Sequence, residues 1–143
     1  MGLFGNFFSS KSNYPVIDPS STAASRIAEV ETQLGELASQ VKDPLEVVPA
    51  KHAAYVFIGK PPKTFGLAWI HEGKISGLNM LVEEHGLKPL EVEKVVSELR
   101  DAYKRNADVS RFCTTLQDRE LVITPSVQLE KDVQEIIEKV VHH

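Results

Sequence analysis

The sequence predicts an α+β domain, with an antiparallel sheet of about five strands in two hairpin-like groups and helices packed on one face of it. Two apolar runs in the middle of the chain have the composition of strands, and a second pair of such runs follows later. Amphipathic helical patterns come before, between and after them. The predicted order is therefore α-β-β-(β)-α-β-β-α, with an arm at 1–18 and one domain at 19–141.

The N-terminal arm carries three of the six phenylalanines, Phe4, Phe7 and Phe8. Two interpretations stay open. The arm packs on its own domain or on a second copy, or it is exposed and docks on a partner protein or at a membrane interface.

Asp18 and Pro19 suit the start of a helix, because aspartate accepts hydrogen bonds from the first amides and proline has its φ preset. The apolar residues after them lie at heptad spacing: Ile27, Val30, Leu34, Leu37 and Val41. This spacing indicates either packing on the chain's own sheet or pairing with the same helix of a second copy. Asp43 and Pro44 repeat the Asp-Pro pattern, which predicts a short helical turn that Pro49 ends.

The first predicted strand pair comprises Ala53–Ile58 and Thr64–Ile70, which are rich in aromatic and branched residues. A loop with two prolines joins them, and a tight turn follows at His71–Lys74. The stretch 75–85 then returns as a third strand or becomes a short helix that Gly86 caps.

The clearest helix runs from Pro89 to Asn106, with acidic residues early and basic residues late, as the helix dipole favours. Its buried face is predicted to comprise Val92, Val95, Val96, Leu99, Ala102 and Tyr103. A second hairpin is predicted at 111–124 and a last helix after Pro125.

Composition limits the function. The net charge is −4, with 16 basic and 20 acidic residues, so nucleic acid is not an expected partner. The single cysteine, Cys113, excludes an internal disulfide and fits a cytoplasmic protein. There is no apolar run of about 18 residues, so no transmembrane segment is expected, although the arm could contact a membrane peripherally.

No motif predicts catalysis. Gly59 and Lys60 lack the spacing of a phosphate-binding loop. His71 and His85 are too far apart to share a metal ion if a strand separates them, and Cys113 has no histidine nearby in the sequence. We therefore expect no catalytic, cofactor or metal site.

The segment 81–99 looks like a helix-turn-helix with the later hairpin as a wing, so a winged-helix-like DNA-binding regulator is one alternative. Glu91 and Glu93 at the start of its second helix oppose this interpretation, because they would repel phosphates. A third possibility is a small-ligand-binding protein with a closed cavity beside Trp69, Tyr55 or Tyr103.

The element order also resembles that of the small secretion chaperones, whose dimers bind extended segments of other proteins. No residue motif of that family is present, so no site residues are carried over. The leading hypothesis is a homodimeric, non-enzymatic protein-binding, adaptor or chaperone-like module. Its partner-binding residues would be Phe4, Phe7, Phe8, Ile27, Val30, Leu34 and Leu37.

Overall fold

The structure, a computed structural model, describes residues 14–141. It confirms the α+β class but contains six strands in one mixed sheet, in the order β4-β3-β2-β1-β6-β5. The strands are β1 (Leu45–Ala50), β2 (Ala53–Lys60), β3 (Thr64–His71), β4 (Lys74–Gly77), β5 (Phe112–Leu116) and β6 (Arg119–Ile123). The helices are α1 (Thr22–Glu29), α2 (Glu31–Gln40), α3 (Leu78–Glu83), α4 (Pro89–Arg105) and α5 (Val127–Val141).

The prediction of about five antiparallel strands missed β1, which lies at the centre of the sheet. The segment expected to form a helical turn is a strand whose six residues are all buried. β1 pairs antiparallel with β2 and parallel with β6, which makes the sheet mixed. The local Asp-Pro pattern is overridden because a run of six buried residues stabilises the centre of a sheet more than one surface turn would.

Pro49 is accommodated because its position in β1 needs no amide donor. Gly59 N donates to Pro44 O at 2.9 Å, and Thr124 N donates to Val47 O at 2.8 Å. Since hydrogen-bonding directions alternate along a strand, Pro49 faces the same side as Val47. The β6 register ends at Val47, so no strand lies opposite Pro49 on that side.

Helices cover both faces of the sheet, whereas one covered face was expected. On the first face, α1 and α2 pack on β1, β2 and β6. The predicted single helix is two helices, because Val30 leaves the helical conformation at φ −118° and ψ 19°. α1 begins at Thr22, and Ser21 rather than Asp18 caps it, since Ser21 Oγ accepts from Ala24 N at 3.1 Å.

On the second face, α3, α4 and α5 pack on β2 and β3. The stretch 75–85, predicted to be either a third strand or a short helix, contains both, since the short strand β4 is followed at once by α3. Gly86 has a φ of 69° after α3, as the capping prediction requires. α4 begins as expected at Pro89, and Glu91 Oε1 accepts from Lys88 N at 2.8 Å.

The described chain begins beside β5. Val16 forms a parallel bridge with Cys113, and Ile17 joins the core under α1 and α2. The prediction assigned these residues to the arm. Phe4, Phe7 and Phe8 lie outside the described residues.

Candidate functional site

An open cleft of about 910 Å³ lies where the outer strands of the sheet meet α3. The ends of β2, β3 and β4 form its floor. Leu37 and Pro44 form a wall on one side, and Met80 of α3 lies on the other. The cleft lies beside Thr64–Leu67 of β3, the stretch that β4 does not pair with.

Five small residues line the floor of the cleft between larger apolar side chains such as Ile58 and Ile75: Gly59, Gly66, Ala68, Ser76 and Gly77. Gly66 is the most open of them, because a Cβ atom added there would meet nothing within 4 Å. Its backbone is ordinary extended strand, paired with Ile58 of β2. The space above Gly66 can therefore accept an apolar side chain from another molecule.

The cleft borders an unpaired stretch of strand. β4 pairs with β3 only from Ala68 to His71, and no other described strand lies beside the outer edge of Thr64–Leu67. The bond from Gly59 N to Pro44 O fixes the directions in β2, so Ile58 faces β3 and its partner Gly66 faces β2. The N–H and C=O of Phe65 consequently face the open edge. The N–H of Leu67 points the same way but belongs to a buried residue.

Exposed strand edges are ready templates for pairing with another chain. The outward groups of Phe65 offer one donor and one acceptor at the spacing that a neighbouring strand uses. The ring of Phe65 is held in place, because it packs 5.5 Å from Phe57 and under the guanidinium of Arg100 at 5.7 Å.

A hydrogen-bond network centred on Glu46 is buried between the sheet and α4. The buried carboxylate of Glu46 accepts from Tyr103 Oη at 2.8 Å, from Arg111 Nε at 3.0 Å and from Thr124 Oγ1 at 2.6 Å. Arg111 also lies 5.3 Å from the Tyr103 ring. Burial, and then the carboxylate of Glu46, raise the pKa of Tyr103. The acceptors of Glu46 are satisfied within the chain, so this network holds the fold together rather than offering groups to a ligand.

The structure places the predicted partner-binding residues of the first helix region in the core. Leu34 is fully buried, Val30 and Leu37 are nearly so, and Ile27 packs against them. In the single chain these side chains hold α1 and α2 on the sheet. Their contact with a partner stays a prediction, as does that of the three phenylalanines.

The other candidates remain apart. His71 is exposed and pairs with Glu72 at 3.6 Å, while Cys113 is buried with its thiol donating to Tyr14 O at 3.3 Å. Within residues 14–141, no three His, Cys, Asp or Glu side chains come together in a group that could hold a metal ion. None of Trp69, Tyr55 and Tyr103 lines the cleft.

Sequence reasoning missed Gly66 and Glu46. A glycine inside an aromatic and branched run signals close approach of another backbone or side chain, and Gly66 stands in such a run. The turn predicted after Asp43 and Pro44 includes Glu46, although this residue lies in the apolar run Leu45–Val48.

Compared with known proteins, the chain matches no family model, no curated protein and no solved structure. Among the described residues, no helix is both long enough and apolar enough to span a bilayer.

Proposed function

We propose that this chain is a non-enzymatic protein-binding module that takes an extended segment of a partner protein into the cleft beside β3. The observation that carries the proposal is the cleft, apolar around Gly66 and charged at its ends, next to the outward N–H and C=O of Phe65. An extended peptide would pair its backbone with Phe65 and place one apolar side chain above Gly66.

The cleft favours a peptide over a small ligand. Small-ligand sites enclose most of the ligand and converge several polar side chains on it. This cleft is open, and it borders the outward backbone N–H and C=O of Phe65 at the sheet edge. A backbone donor and acceptor on one strand residue match another strand better than they match a small molecule.

The test uses a neutral probe peptide, Ser-Val-Leu-Val-Thr-Gln-Gln, titrated into the full chain and followed by NMR. In antiparallel pairing its second valine lies opposite Phe65, and its leucine lies above Gly66. Its first residue must turn away from the sheet, because Gly77 of β4 already pairs with Ala68. We expect the amide signals of Phe65 and Leu67 to shift. N-methylation of the second valine removes one donor and should weaken binding about tenfold. The matched control is N-methylation of the leucine, whose N–H faces away from β3.

Gly66→Val projects into the space above the floor, where a Cβ atom meets nothing within 4 Å, and should reduce affinity by at least about tenfold. Gly66→Ala fills less of it and should have a smaller effect. Equal binding by Gly66→Val and the parent chain, or equal effects of the two N-methyl groups, would refute strand pairing in this cleft.

A further inference from the structure

One end of the cleft carries more positive than negative charge, since two lysines line it and Asp43 is the acidic residue beside them. Lys60 ends β2 and Lys63 immediately precedes β3, and both line the cleft beside Thr64. Among the described residues, neither lysine side chain forms an ion pair. Arg100 does not line the cleft but holds the loop between the lysines, where its Nε donates to Pro62 O at 2.7 Å and its Nη2 to Lys63 O at 3.3 Å.

The side of the cleft formed by α3 carries the opposite charge. Glu83 and Glu84 line the cleft there. A segment that is acidic along its whole length would be repelled by these carboxylates. The cleft would therefore distinguish between peptide segments by where along the segment their charged residues lie.

We propose that the preferred partner segment runs antiparallel to β3 and carries acidic residues directly after its apolar residues. This inference rests on the proposed function. Antiparallel pairing is slightly more stable per residue than parallel pairing, and it places the carboxyl-terminal end of the segment at Thr64. Acidic side chains there would meet Lys60 and Lys63, which have no partner of their own within the described chain.

Lysines and prolines also protect sheet edges from aggregation, and Pro61 and Pro62 lie between these two lysines. A purely protective role makes a different prediction. The lysines would then discourage strand pairing in general, and the charge of a bound peptide would not change its affinity.

The experiment compares four peptides with the full chain by NMR titration. They are Ser-Val-Leu-Val-Thr-Glu-Glu, the same peptide ending in Gln-Gln or in Lys-Lys, and Glu-Glu-Ser-Val-Leu-Val-Thr. We expect the Glu-Glu ending to bind about 3- to 10-fold more tightly than Gln-Gln, as two exposed ion pairs allow. The Lys-Lys ending and the peptide with acids at its amino end should bind more weakly, and high salt should narrow the differences.

Lys60→Glu/Lys63→Glu should reverse the preference in favour of the Lys-Lys ending. The matched control is Lys51→Glu/Lys131→Glu, which makes the same charge change at exposed lysines that do not line the cleft. The control should leave the preference unchanged.

Three outcomes overturn the inference, and they separate it from the proposed function. If Glu-Glu and Gln-Gln endings bind equally while Gly66→Val still blocks both, the charge preference is wrong and the peptide-binding function stands. If the acids are preferred at the amino end, the antiparallel orientation is wrong. If no peptide binds, the proposed function fails as well.

Discussion

Arg111→Met should destabilise the chain strongly, because it leaves the carboxylate of Glu46 buried without its cation. Both side chains are largely inaccessible, with exposures of 9% for Arg111 and 11% for Glu46. Removal of one partner from a buried ion pair costs about 3–5 kcal/mol. Arg111 also donates to Ala107 O and Val109 O, and these bonds are lost too.

A second substitution should restore part of this loss. In Glu46→Gln/Arg111→Met the charge is gone, while the glutamine can still accept from Tyr103 and bond to Thr124. We expect the double variant to be about 2–3 kcal/mol more stable than Arg111→Met alone, because it no longer buries an uncompensated charge.

The assay is urea unfolding at pH 7, followed by far-UV circular dichroism with a check for equal m-values. The matched control is Arg26→Met, which removes a more exposed pair with Glu130 at 3.7 Å and should cost less than about 1 kcal/mol. The reasoning is refuted if Arg111→Met costs no more than Arg26→Met, or if the double variant is no more stable than Arg111→Met.

Two further predictions concern alkaline pH and association. Burial, and then the charges of Glu130 and Glu138, raise the pKa of Tyr55 from 10.0 to about 12. The unfolded chain therefore loses the Tyr55 proton at lower pH than the folded chain, and the unfolding free energy should fall as pH rises from 10 to 12. Tyr55→Phe should flatten that decline. Identical pH profiles for the variant and the parent chain would contradict the assignment. The heptad-spaced residues of α1 and α2 pack in the core of the single chain, which leaves the N-terminal arm as the predicted dimer contact. We therefore expect light scattering to show a dimer for the full chain and a monomer for a chain that begins at Ser12. Equal association of the two chains would remove the arm from the predicted interface.

The elements that could be predicted from the sequence are those specified by local patterns. α4 has its proline start, its dipole-matched charges and one apolar face, all within a single helix. The β2–β3 and β5–β6 hairpins likewise follow from apolar runs separated by turn residues. Each of these signals lies within about twenty residues and needs no distant partner.

The features that could not be predicted depend on which distant segments meet. β1 reads locally as a capped turn, and only its position between β2 and β6 explains why Leu45–Ala50 is extended. The cleft depends on the difference in length between β3 and β4 and on where α2 ends. Gly66 gave a signal of close approach, but nothing in the sequence identified what would approach it.

The parallel pairing of β1 with β6 joins two segments that are synthesised far apart in time. More than half of the described residues lie between Val47 and its register partner Ile123. During synthesis β1 to β4 can pair as soon as they emerge, because each antiparallel neighbour is adjacent in sequence. β1 then presents an apolar edge to its surroundings until the β5–β6 hairpin has been synthesised and docks. A nascent or truncated chain that stops before β6 would therefore be prone to aggregate through β1, and completion of the hairpin closes that edge.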